Sequence, residues 1–138
     1  MVTITLHVEG IPAPQGSKTR TRWGMRESSQ RVAPWRAAVK AEAIIAGDRA
    51  GLLDALKPPY RVDVAFYITK PRRTKHTHPV APTIGDLDKL IRSTLDALTQ
   101  GGLLEDDRFV VELNTTKEWA GDHETPGAII TITEVRDD

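Results

Sequence analysis

A chain of 138 residues without a single cysteine can bury one hydrophobic core, and it excludes both a disulfide framework and a thiolate zinc site. Residues 1–9 alternate rather than forming the apolar block of a signal peptide, and no apolar run approaches the ~20 residues of a membrane span, so a soluble, cytoplasmic protein is expected. The formal net charge of zero conceals a split: residues 1–80 carry 14 Lys and Arg against 6 Asp and Glu, and residues 81–138 carry 5 against 13. That is the distribution of basic arms gripping phosphates around an acidic centre, although charges that merely neutralise one another within a domain fit the composition equally well.

In chain order, VTITLHVE at 2–9 sets Val2, Ile4, Leu6 and Val8 against polar neighbours, the pattern of a half-buried strand. Residues 10–32 have no periodicity and hold Gly10, Pro12, Pro14 and Gly16, which predicts a loop. Its cations are Lys18, Arg20, Arg22, Arg26 and Arg31, opposed only by Glu27, so phosphate contact is favoured over a solvated connector. GSK at 16–18 lacks the glycine and lysine spacing of a phosphate-binding P-loop, so no nucleotide cofactor is expected. A helix is predicted from Pro34 through Ala46, with Gly47 as its stop and Trp35, Val39 and Ala43 facing the core.

After a connector ending in Pro58-Pro59, YRVDVAFYIT at 60–69 alternates Val62, Val64, Phe66 and Ile68 as a second strand. It leads into another basic loop over 70–85, bearing Lys70, Arg72, Arg73 and Lys75. His76 and His78 offer too few ligands for a structural metal. GAIITITEV at 127–135 supplies the last strand.

Between them lies the most informative stretch, GDLDKLIRSTLDALTQGGLLEDDRFVVELNTTK at 85–117. Leu87, Leu90, Ile91, Leu95 and Leu98 form an amphipathic helical stripe in which Thr94 fills the one gap. Two carboxylates, Asp86 and Asp88, open the helix, and Glu105-Asp106-Asp107 follow the Gly101-Gly102 turn. Phe109, Val111 and Leu113 then alternate along one side of a strand. A short turn back would return the second acidic cluster toward the first and create oxygen ligands for a hard divalent cation. The competing reading is structural: Asp86 as an N-cap, Asp88, Arg92 and Asp96 as an ion-pair ladder, and Asp106-Asp107 as a turn. A lone pair of acids would favour the structural reading; the second cluster adds weight to a metal site, in which Asp96 is assigned to structure and Glu105 and Asp106 to its outer surroundings.

DLD at 86–88, LDAL at 95–98, DD at 106–107 and Lys117 ten residues on resemble RusA-type Holliday junction resolvases in both identity and spacing. The resemblance is looser elsewhere: an N-terminal strand, a basic loop with PAPQGSK, and a helix beginning near Trp35. It implies a Mg²⁺-dependent homodimer that cuts four-way DNA junctions by paired symmetric incisions in recombination and repair, often encoded by phages or prophages. Its catalytic, metal-binding aspartates match Asp86, Asp88 and Asp107. Its active-site lysine falls at Arg92, and Lys89 stands where the family usually has asparagine. Lys18, Arg20, Arg22, Arg72, Arg73, Lys75, Lys89 and Lys117 are the expected DNA contacts. The order β-α-β-α-β-β makes a single α+β domain over 1–138, a mixed sheet with two helices packed on it and long basic loops projecting away. Two other functions fit the same residues: non-catalytic binding of branched DNA, and metal-dependent cleavage of flaps, forks or RNA.

Overall fold

The computed structural model describes residues 2–16, 18–21, 24–27 and 30–136, the two middle stretches as backbone alone. Its main sheet contains β1 (Thr3–Glu9), β4 (Tyr60–Ile68), β5 (Val110–Trp119) and β6 (Gly127–Glu134) in the order β1-β6-β4-β5. β6 pairs antiparallel with both β1 and β4, whereas β4 and β5 run parallel. The parallel pair needs a crossover, and α2 (Leu87–Gln100) supplies it. Alternation in sequence becomes alternation in burial: Ile4, Leu6 and Val8 of β1 face the same core as Val62, Val64 and Phe66 of β4 and Ile130 and Ile132 of β6.

Helix α1 (Val32–Arg49) and α2 cover that apolar face. Trp35, Val39 and Ala43 are buried at intervals of four, as the sequence predicts. The indole of Trp35 donates to Thr94 Oγ1 at 3.1 Å, and Thr94 in turn donates to the Leu90 carbonyl at 2.8 Å. The one polar gap in the α2 stripe is therefore a satisfied buried pair joining the two helices. Gly101 lets them close: a Cβ there would stand 2.7 Å from that of Ala43.

Three details differ from the sequence expectations. The 10–32 stretch contains a hairpin, β2 (Lys18–Thr21) and β3 (Gly24–Glu27), rather than loop throughout. Helix α1 does not stop at Gly47 but runs to Arg49, with Leu103 packed beside Gly47; glycine lowers helix propensity without forbidding the helix, so Gly47 is no stop. Phe109 belongs to a 3₁₀ turn (Asp107–Phe109), and a bulge opposite Tyr60 and Arg61 interrupts the start of β5. Val111 and Leu113, expected with Phe109 on one side of a strand, are 64% and 41% exposed along this edge strand. No described helix is long and apolar enough to cross a membrane.

Candidate active site

Asp86 and Asp88 stand at the mouth of α2 because the chain ahead of them is held tightly. Gly85 has φ +96°, and a Cβ on it would come within 2.6 Å of Pro14. Only glycine meets both demands at low cost. The segment carrying Pro14 is itself tied to the helix, with Gln15 N donating to the Lys89 carbonyl at 3.0 Å and Ser93 Oγ donating to the Ala13 carbonyl at 2.7 Å. From β5, the Lys117 ammonium donates to the Gly85 carbonyl at 2.9 Å. Loop, helix and strand thus meet at one point and present two carboxylates there.

Both carboxylates are exposed. Asp86 occupies the N-cap position, yet its side chain makes no capping hydrogen bond. Among the described residues neither Asp86 nor Asp88 enters an ion pair, so the Asp88–Arg92–Asp96 ladder does not form by direct contact. Capping and ion pairing, two of the structural duties open to these acids, are not performed, while the helix dipole still stabilises an acid in the first turn. The positive end of the helix dipole lies beside them, the Lys89 amide already donates to the Asp86 carbonyl at 3.1 Å, and Lys117 holds the carbonyl just ahead of Asp86.

The second cluster goes elsewhere. Asp106 caps the 3₁₀ turn by accepting from Arg108 N at 2.9 Å, and the Glu105 amide donates to the Tyr60 hydroxyl at 3.0 Å. Asp107 accepts from the Thr99 hydroxyl and lies against Asp96. Burial first, then the hydrogen bond and negative charge of Asp107, hold the Asp96 carboxyl above its ordinary range, while Arg36 and Arg92 pull the other way. Thr99 follows Asp88 by about three turns, roughly 16 Å along the axis at 1.5 Å per residue. Within one chain Asp107 therefore does not return to the Asp86–Asp88 pair, and among the described residues no three His, Cys, Asp or Glu side chains gather as a metal cluster. The missed partner is Asp96, set aside on sequence as structural. A signal for it existed: in a strand–helix–strand crossover, residues just after the helix lie at its C-terminal end.

Arg92 is exposed on α2, within charge range of Asp96, and Lys89 is half-buried. Arg72, Arg73 and Lys75 are exposed on the loop leading to Gly85. Lys18 and Arg20 fall on β2, and Arg22 lies outside the described residues. Two aspartates on a first helical turn suit Mg²⁺, which takes one or two carboxylates and keeps waters or phosphate oxygens in its remaining positions. One chain accordingly places two exposed aspartates at one end of α2 and a third, half-buried, at the other.

No curated protein matches the sequence. A family model does, the one described as endodeoxyribonuclease RusA, over residues 10–133. That match spans the loop, both helices, the acidic pair, Asp107 and Lys117, and so the chain belongs to the RusA endodeoxyribonuclease family.

Proposed function

We propose that the protein is a Mg²⁺-dependent endodeoxyribonuclease that resolves four-way DNA junctions by paired symmetric cuts, acting as a homodimer in recombination and repair, with a phage or prophage as the expected source. The observation that carries this reading is the exposed Asp86–Asp88 pair, relieved of capping and ion pairing and fixed by Gly85 and Lys117. Asp86 and Asp88 would hold the cation, which would polarise the scissile phosphate and lower the pKa of a bound water. Lys117, bonded to the Gly85 carbonyl, and Arg92, one turn beyond Asp88, would contribute positive charge where negative charge accumulates at phosphorus. Arg92 serves as a charge rather than as a proton donor.

The length of α2 supports the dimer. A two-fold axis across this helix sets its N-terminal end against the C-terminal end of the second copy. The partner's Asp107 would then complete the ligand set that one chain leaves open. The exposed Val111 and Leu113 on the β5 edge offer apolar surface for such a contact.

Subunit mixing tests this directly. Asp88→Asn and Asp107→Asn homodimers are each expected to bind a junction and fail to cut it. Dissociated and reassociated at equal amounts, they should form heterodimers with one intact site and one doubly damaged site. About a quarter of wild-type sites would return, seen as nicked rather than resolved junctions. If both carboxylates serve one site in the same chain, no activity returns. Junction cleavage by either homodimer at the wild-type rate would remove that residue from the chemistry. A panel of flaps, forks, linear duplex and RNA distinguishes junction resolution from broader cleavage.

A further inference from the structure

Beyond the acidic pair, along β5, lies a cavity of about 260 Å³ between the 11–12 segment, the ends of β4 and β5, and the loop before α2. Ile11, Pro12, Ile68, Ile84 and Trp119 form its apolar walls, and Arg31 stands at its edge. Three features mark it as more than a packing defect. Ile11 is 61% exposed, an apolar side chain presented to the opening. The Trp119 indole N–H is taken up by the His76 carbonyl at 3.1 Å, which fixes the ring and ties the basic loop to the wall. Arg31 donates to the Thr83 carbonyl, so its cation is held at the edge.

The position matters as much as the lining. Trp119 and Lys117 are two residues apart on β5, on the same face and about 7 Å apart along the strand. Lys117 is bonded to Gly85, and Ile84 of the cavity wall precedes Asp86 by two residues. That separation is about two nucleotide steps of a stacked strand at roughly 3.4 Å each. Lys70, Arg72, Arg73 and Lys75 are exposed on the bordering loop and provide cations for the flanking phosphates. An apolar slot with an aromatic wall and a cationic border matches the two halves of a nucleotide, a flat base and its charged backbone.

We propose that this cavity receives one unstacked nucleobase of the DNA strand whose phosphate lies at Asp86 and Asp88. The inference rests on the junction-nuclease reading above and deepens it. A base within a duplex cannot enter a concave slot, whereas one at a branch point gives up the least stacking to do so. The cavity thereby converts the shape of the DNA into binding affinity without reading sequence.

The test pairs a filled cavity with a missing base. Ala81→Phe fills the slot from its wall, and Ile11→Ser removes apolar surface at an exposed position where folding is not at stake. Binding is measured in EDTA on four-way junctions carrying one abasic site, walked nucleotide by nucleotide around the branch point. At one position the abasic site should weaken wild-type binding about tenfold. The same abasic site should leave Ala81→Phe unchanged, since that variant has already lost the contact, and Ile11→Ser should fall between. If no abasic position matters, or if its loss adds in full to that of both variants, the cavity holds no base. Should Ala81→Phe fail to fold, Ile11→Ser carries the comparison alone. Wild-type protein with no preference for a junction over linear duplex overturns the junction reading itself, a separate result from additive losses on a tightly bound junction.

Discussion

The two ends of α2 use the same residue type in opposite ways. At the N-terminal end Asp86 and Asp88 are exposed, lack capping bonds and sit beside the Lys117 ammonium. At the C-terminal end Asp96 and Asp107 are half-buried, share a hydrogen bond and crowd one another, with Thr99 donating to the second. The first pair keeps its oxygens available; the second has already committed some of them. Of the four, Asp96 is the one whose burial and neighbours leave it a structural duty alone.

The largest test of that contrast compares Asp88→Asn with Asp96→Asn. The first should lower junction cleavage by at least about 100-fold while binding holds or tightens, because a charge repelling phosphate has gone. The second should keep most of its activity in the same single-turnover assay. Equal losses at both positions would erase the distinction between the ends.

Lys117→Met comes next. It removes the link between β5 and Gly85 together with a cation beside the acids, and cleavage should fall about tenfold, in line with one charge-assisted hydrogen bond. Unchanged cleavage would make Lys117 a surface residue.

At the other end, Thr99→Val deletes the hydroxyl that orients Asp107. A cost of about 1 kcal/mol in urea unfolding is expected, with cleavage reduced severalfold as the carboxylate loses its alignment. A full loss of cleavage with no change in stability would move Thr99 into the chemistry.

The smallest effect concerns stability and pH. The Asp96 carboxyl is held above its ordinary value of 3.8, so the fold favours its protonated form. Its contribution to stability is fully present below 3.8 and is lost as pH rises through the higher folded-state value. Asp96→Asn imitates the protonated state and should raise Tm by a few degrees at neutral pH. That advantage should vanish below 3.8, as followed by thermal melts in low salt. A destabilised variant at neutral pH would show that the Asp96 charge is needed rather than merely tolerated.

Much of this was readable in advance. Period-two runs gave β1, β4 and β6, and the α2 stripe gave its helix, because burial on one face forces those spacings. The helix-to-strand spacing around DLD and DD carried the family. The destination of Asp107 was not read, because a turn at Gly101-Gly102 suggests reversal without saying how far the chain travels back. The buried Leu103 and Leu104 anchor the connection under the helix's C-terminal end, and β5 then runs back past α2 to bring Lys117, not Asp107, to Gly85. The hairpin in 10–32 and the exposed start of β5 also escaped the pattern. Composition there is basic or apolar without stating which neighbours will cover it.

The strand order carries a consequence for how the molecule is made. β6 lies between β1 and β4 and is the only described sheet neighbour of β1, with Thr3 opposite Thr133. During synthesis β1 must therefore wait, unpaired, until residues 127–134 have left the ribosome. Pairing across so long a separation is entropically late, and it places closure of the sheet near the end of folding. A nascent chain still growing through α2 and β5 has no closed sheet on which to mount either end of the helix. Nuclease competence is thus deferred until translation of this fold is complete.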